Sequence, residues 1–138
     1  MVYNFGIIGL GMIAKFHAEA IKAIHGASLV AVFSENENKA AEFSQEFGGI
    51  PYTDFSKFLK HKDLNAVSIC TPSGAHLEPC LASAEAGKHV VCEKPLEVST
   101  DRIDEMIRSC DKAGVMLSGI FPRRFNSSTK ELKKAIMQ

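Results

Sequence analysis

Five short segments of the chain carry residue types that could hold a phosphate, a ribose or a mobile proton. The first, Gly9-Leu10-Gly11-Met12-Ile13-Ala14, begins only eight residues into the sequence. In a G-x-G-x-x-A turn between a strand and a helix, each small residue has a physical task. Gly9 permits the tight turn, Gly11 lets main chain approach a diphosphate, and Ala14 lets the helix pack closely on the strand. The free amides that open the helix, around Met12 and Ile13, and its positive dipole end would then face the phosphates. The other segments are Ser34-Glu35 with Lys39, Thr71-Pro72 with His76, Glu93-Lys94-Pro95, and Pro122-Arg123-Arg124.

Such residues act together only if the fold gathers them, and the apolar pattern predicts that it does. Val2, Phe5, Ile7 and Ile8 read as a short buried strand, and Ile13, Phe16, Ala20 and Ile24 form one helical stripe. Leu29 to Phe33 is a second strand. Asn36 then caps a helix that buries Ala40, Phe43 and Phe47 and ends at Gly48-Gly49. A short helix carries Phe55, Phe58 and Leu59, and a strand follows from Ala66 to Cys70. The next helix has Leu77, Cys80, Leu81 and Ala84 on one face and stops at Gly87, before a strand from His89 to Cys92. Ser99 or Thr100 caps a helix bearing Ile103, Met106, Ile107 and Cys110, and Val115 to Phe121 is a fifth strand. Continuous apolar strands separated by helices predict an α/β fold with a doubly wound, Rossmann-like parallel sheet covered on both faces. All five segments follow strands, and ligands of such sheets bind outside the strands' carboxyl ends. The expected division is a dinucleotide-binding domain over 1–121, with 122–138 forming a hinge and a first helix toward a domain not present here.

Composition narrows the alternatives. With 46% hydrophobic and 23% charged residues in 138, the chain is an ordinary globular sequence with enough length for one sizeable core. Sixteen basic residues cancel sixteen acidic ones and are interspersed, so no basic stripe speaks for nucleic acid. No apolar run reaches the ~20 residues of a membrane span, and no secretory leader pattern is present. The cysteines (Cys70, Cys80, Cys92, Cys110) form no C-x-x-C pair and read as small buried side chains in a reducing compartment. The histidines lack metal-ligand spacing, so no metal site is expected, and His17 and His89 fall inside regular elements as structural residues. A cytoplasmic location follows as the default expectation.

Three segments, read together, give a specific resemblance. They are the glycine turn, Cys70-Thr71-Pro72-Ser73-Gly74-Ala75-His76, and Ala86-Gly87-Lys88-His89-Val90-Val91-Cys92-Glu93-Lys94-Pro95-Leu96. In this order the chain resembles the amino-terminal half of the glucose-fructose oxidoreductase, inositol dehydrogenase and MocA superfamily, over about the first 125 residues. The resemblance implies an NAD- or NADP-dependent oxidoreductase acting on a sugar, polyol or related secondary alcohol. It places Lys94 beside the nicotinamide and the reacting hydroxyl as the catalytic residue, where partial desolvation suits proton exchange. It also places Glu93 at the cofactor's ribose or amide, and His76 either near the cofactor or in a capping or packing role. Of the Arg123-Arg124 pair, Arg123 is carried as a contact to the nicotinamide ribose or substrate. Family members often have a cis peptide at this proline, which sequence alone does not show.

The carboxylate that usually marks the second strand end, accepting from an adenosine 2′-hydroxyl, is replaced by Ser34, with Glu35 one residue later. Ser34 and Lys39 offer a hydroxyl and an ammonium to a 2′-phosphate, which favours NADP over NAD, while Glu35 argues the other way unless it faces solvent. The substrate-selecting domain and a homo-oligomer interface are expected in a longer form, so the chain alone should bind cofactor without efficient turnover. A non-catalytic dinucleotide-binding or sensor module is the alternative reading.

Overall fold

A computed structural model of the chain describes residues 2–137. Its strands are β1 (Tyr3–Ile8), β2 (Ala27–Phe33), β3 (Ile50–Tyr52), β4 (Ala66–Ile69), β5 (His89–Cys92) and β6 (Leu117–Gly119). They form one sheet in the order β3-β2-β1-β4-β5-β6, parallel at every pairing. The helices are α1 (Met12–Ala23), α2 (Glu37–Phe47), α3 (Phe55–Leu59), α4 (Leu77–Glu85), α5 (Thr100–Ala113) and α6 (Ser127–Ile136).

Strand geometry sends neighbouring side chains to opposite faces, and β1 shows the result. Ile7 joins Ala14, Ala18, Ile21, Val32, Phe43 and Phe47 beneath α1 and α2. Ile8 joins Phe58, Val67, Ile69, Cys80 and Met106 beneath α3, α4 and α5. The two layers make the predicted doubly wound α/β sandwich. Helix starts follow the sequence signals: Asn36 Oδ1 accepts from the Lys39 amide at 3.0 Å, and Ser99 Oγ accepts from the Arg102 amide at 3.4 Å. Gly114 ends α5 with a left-handed φ of 68°, which spares a side chain the usual steric cost. Beyond β6 a 3-10 turn at Pro122–Phe125 leads into α6, none of whose described residues is buried.

Four expectations change. The sheet has six strands, because Ile50-Pro51-Tyr52 adds an edge strand too short to stand out in the pattern. Pro51 is tolerated there because an edge strand leaves one side of its backbone unpaired. The fifth expected strand, now β6, shrinks to Leu117–Gly119. In α1 the buried face is Ala14, Ala18 and Ile21, whereas Ile13, Phe16 and Ile24 are 39%, 62% and 55% exposed and Ala20 is also exposed. Both sets fit helical spacing. The alanines win because their size lets α1 lie close against the sheet, which rotates the bulkier stripe outward. On α5, likewise, Met106 and Cys110 are buried while Ile107 is exposed. Among the described residues no helix is long and apolar enough to cross a membrane.

Candidate functional site

Parallel pairing puts the carboxyl ends of all the strands on one edge. At β1 and β4 the strand order reverses direction, leaving a crevice between the loops that follow them. A cleft of about 600 Å³ occupies that edge, within the range of small-molecule sites. The glycine turn from Gly9 to Ile13 forms one wall, Ser34 and Lys39 a second, and Thr71, Pro72, Glu93 and Lys94 a third. Most of the residues singled out from the sequence therefore meet, although they come from four separate loops.

The two glycines of the turn do different work. Gly9 has a φ of +83°, and a Cβ there would lie 2.8 Å from the Thr71 amide nitrogen and 2.9 Å from the Cys70 carbonyl carbon. Its lack of a side chain lets the loops after β1 and β4 touch. Gly11 stands at the N-cap of α1 with an ordinary φ of −83°, and a Cβ there meets no atom within 4 Å. The space over Gly11 is open cleft, at the end of a helix where unpaired amides and the dipole favour an anion.

On the second wall, Ser34 Oγ accepts from the Asn36 amide at 3.2 Å, and Lys39 lies in the first turn of α2. Glu35 is exposed and stands off the cleft wall. On the third, Thr71 Oγ1 donates to the Ala75 carbonyl at 2.8 Å, closing the loop that carries Pro72. Cys70 borders the cleft, but burial pushes its thiol up to about 12, as it does that of Cys92, so neither supplies a thiolate. All four cysteines are free and buried. Among the described residues, no group of three or more His, Cys, Asp or Glu side chains is gathered to hold a metal ion.

For His76, of the two roles the sequence left open, the geometry fits packing. It is only 1% exposed and sits beneath the cleft rather than on its wall. Its Nε2 faces the Thr71 carbonyl at 2.9 Å, and Nδ1 faces the Pro95 and Leu96 carbonyls at 3.0 and 3.1 Å. The ring thus ties the loop after β4 to the loop after β5. Arg123 also stands apart: it lies in the 3-10 turn beyond β6, exposed and off the cleft wall.

Lys94 is exposed at the cleft, and its bond to Pro95 is cis. Glu93, only 6% exposed, has both carboxylate oxygens engaged. Oε2 accepts from the Lys94 amide at 2.9 Å, and Oε1 lies 2.9 Å from His17 Nε2. Two residues that sequence reasoning missed as site components support this loop. His17 reads as structural from the sequence, yet it shares the inward face of α1 with Ala14, Ala18 and Ile21, which is the signal that could have found it. Glu97 is a buried carboxylate accepting from the His76 amide at 3.1 Å, the Val98 amide at 2.8 Å and Arg102 Nε at 2.9 Å. Burial works against its charge, but the hydrogen bonds from Arg102 and the two amides outweigh burial and hold the carboxyl down at about 2.

Comparison with known proteins agrees with this geometry. A family model described as an oxidoreductase family with an NAD-binding Rossmann fold (GFO_IDH_MocA) matches residues 3–121. The chain is 38% identical to myo-inositol 2-dehydrogenase of Thermotoga maritima over 134 residues, covering 96% of this chain and 40% of that protein. It is 32% identical to the NADP(+) scyllo-inositol 2-dehydrogenase IolU of Bacillus subtilis, covering 95% of this chain and 40% of that protein. Among solved structures, the WlbA dehydrogenase of Bordetella pertussis, crystallised with NADH and UDP-GlcNAcA, superposes with a TM-score of 0.95 at 33% identity. That match covers 100% of this chain and 43% of the other. The chain spans about 40% of the length of the curated relatives it matches. By the extent of the family match and the fold that carries it, the chain belongs to the Gfo/Idh/MocA family of NAD(P)-binding oxidoreductases.

Proposed function

We propose that this chain is the cofactor-holding part of a dehydrogenase that acts on a sugar, polyol or related secondary alcohol. The diphosphate of NADP or NAD would rest on the amides from Gly9 to Ile13, the adenosine ribose beside Ser34 and Lys39, and the nicotinamide near Thr71, Pro72 and Lys94. The observation that carries this reading is the open space over Gly11 at the start of α1, beside a Gly9 packed against the neighbouring loop. The residues present fit the group: orphan amides for an anion, a hydroxyl and an ammonium at the ribose end, and a lysine at the far wall.

When bound, the nicotinamide ring supplies the hydride acceptor or donor. Lys94, on a loop held from beneath by His76, would exchange a proton with the reacting hydroxyl. Ser34 and Lys39 on the wall, with Glu35 turned off it, support a preference for NADP. Residues 1–121 would form the cofactor domain and 122–138 the lead into a substrate domain, in keeping with the greater length of the relatives. Because holding the alcohol in attack geometry is worth roughly several kcal/mol, this chain alone would bind cofactor without efficient turnover. The free, buried cysteines fit a reducing compartment, and the cytoplasm is the location we assign. Calorimetric titration of the chain with NADPH and with NADH tests the reading. Association with both, tighter for NADPH, is expected. Equal or tighter NADH removes the preference, and no association with either overturns the proposal.

A further inference from the structure

Three polar side chains from three elements meet behind Lys94: buried Ser68 on β4, part-buried His17 on α1 and buried Glu93 at the end of β5. His17 Nδ1 lies 2.6 Å from Ser68 Oγ, and His17 Nε2 lies 2.9 Å from Glu93 Oε1. A carboxylate oxygen only accepts, so Nε2 donates to Glu93, while Nδ1 pairs with the Ser68 hydroxyl. The second carboxylate oxygen accepts from the Lys94 main-chain amide at 2.9 Å. Donors therefore converge on Glu93 from two sides, His17 from the sheet and the Lys94 main chain from the cleft. His17 and Glu93 side chains are only 13% and 8% exposed, so water competes weakly for these bonds. The Ser-His-Glu series resembles a nucleophile, base and acid. However, Ser68 is only 2% exposed, so its hydroxyl is shielded from an approaching substrate.

We infer that Ser68, His17 and Glu93 form an internal brace that positions Lys94, and that Glu93 serves this brace rather than the cofactor ribose. The inference rests on the reading of Lys94 given above. His17 is a positioning residue: it fixes one carboxylate oxygen so that the other can hold the Lys94 amide.

Hydrogen exchange at the Lys94 amide of the 15N-labelled chain tests this. In an α-helix the terminal amide of glutamine can replace Nε2 toward Glu93, whereas asparagine can replace only Nδ1 toward Ser68. His17→Gln should keep the Lys94 amide protected, while His17→Asn and His17→Leu should each lose about tenfold in protection. Gln and Asn behaving alike, or protection merely tracking melting temperature, overturns the brace. If a histidine variant does not fold, Ser68→Ala carries the test: protection should fall about threefold, and no change overturns the inference. NADH titration of the unaltered chain is a separate arm, so loss of the cofactor reading is told apart from loss of the brace.

Discussion

Replacing Gly9 and Gly11 one at a time by alanine should separate folding from cofactor binding within a single turn. At Gly9 the backbone has a φ of +83°, which for a residue with a side chain costs roughly 1–3 kcal/mol. The added Cβ would also stand 2.8–2.9 Å from main-chain atoms of Cys70 and Thr71, which cannot move aside as a side-chain tip would. Overpacking of that kind adds about 1–3 kcal/mol, and the lower entropy of the unfolded alanine chain returns roughly 0.4–1 kcal/mol. Gly9→Ala should therefore lose about 2–5 kcal/mol, a melting shift of roughly 6–15 °C for a domain this size.

Gly11→Ala meets no atom within 4 Å and keeps an allowed φ. Its weaker N-cap preference, at most about 1 kcal/mol, is offset by the same unfolded-state term, so stability should change by less than about 0.5 kcal/mol. Its methyl group, however, stands where a diphosphate would approach the helix. Loss of one charge-assisted hydrogen bond, about 1.5–3 kcal/mol, weakens NADPH binding roughly 10- to 100-fold. Circular-dichroism melting and calorimetry on both variants are the assay. Gly11→Ala binding NADPH within twofold of the parent, or Gly9→Ala melting with Gly11→Ala, would refute the reasoning.

Other expectations concern the buried Glu97 carboxylate, the ribose pocket and the core. Because the Glu97 carboxyl is held below its ordinary value, its stabilisation is complete above about pH 4.5 and is lost as pH falls toward about 2. Glu97→Gln should accordingly be less stable by on the order of 1–3 kcal/mol at neutral pH, after allowance for solvent screening. The gap should close by pH 2 in urea titrations run across that window, and a constant gap would count against the assignment. Lys39→Ala should weaken NADPH about fivefold and leave NADH unchanged, measured by coenzyme fluorescence. Parallel losses for both coenzymes would remove Lys39 from the phosphate site. Phe58, fully buried against β1 and β2 residues, should cost about 3–5 kcal/mol when cut to alanine, as read from the denaturant midpoint.

Much of the fold is legible because α/β proteins write their elements in period. The runs at Leu29–Phe33 and Ala66–Cys70 are too apolar for a half-exposed strand, and Asn36, Ser99 and Gly114 mark helix ends by their own hydrogen-bonding or conformational preferences. β3 escapes this reading because three residues, one of them proline, carry no period. The face of α1 escapes it because Ala14, Ala18 and Ile21 have the same spacing class as the larger residues beside them, and only contact distance chooses between the two.

Local chemistry along the sequence thus determined the glycine turn, the alternation of elements and the polar residues after each strand, since these depend on neighbours a few positions away. Tertiary packing alone decided that His76 lies under the cleft, that Glu35 and Arg123 leave its wall, and that His17 reaches Glu93. Those partners are separated by up to 76 positions in the chain, so only the order of strands in the sheet brings them within hydrogen-bond distance.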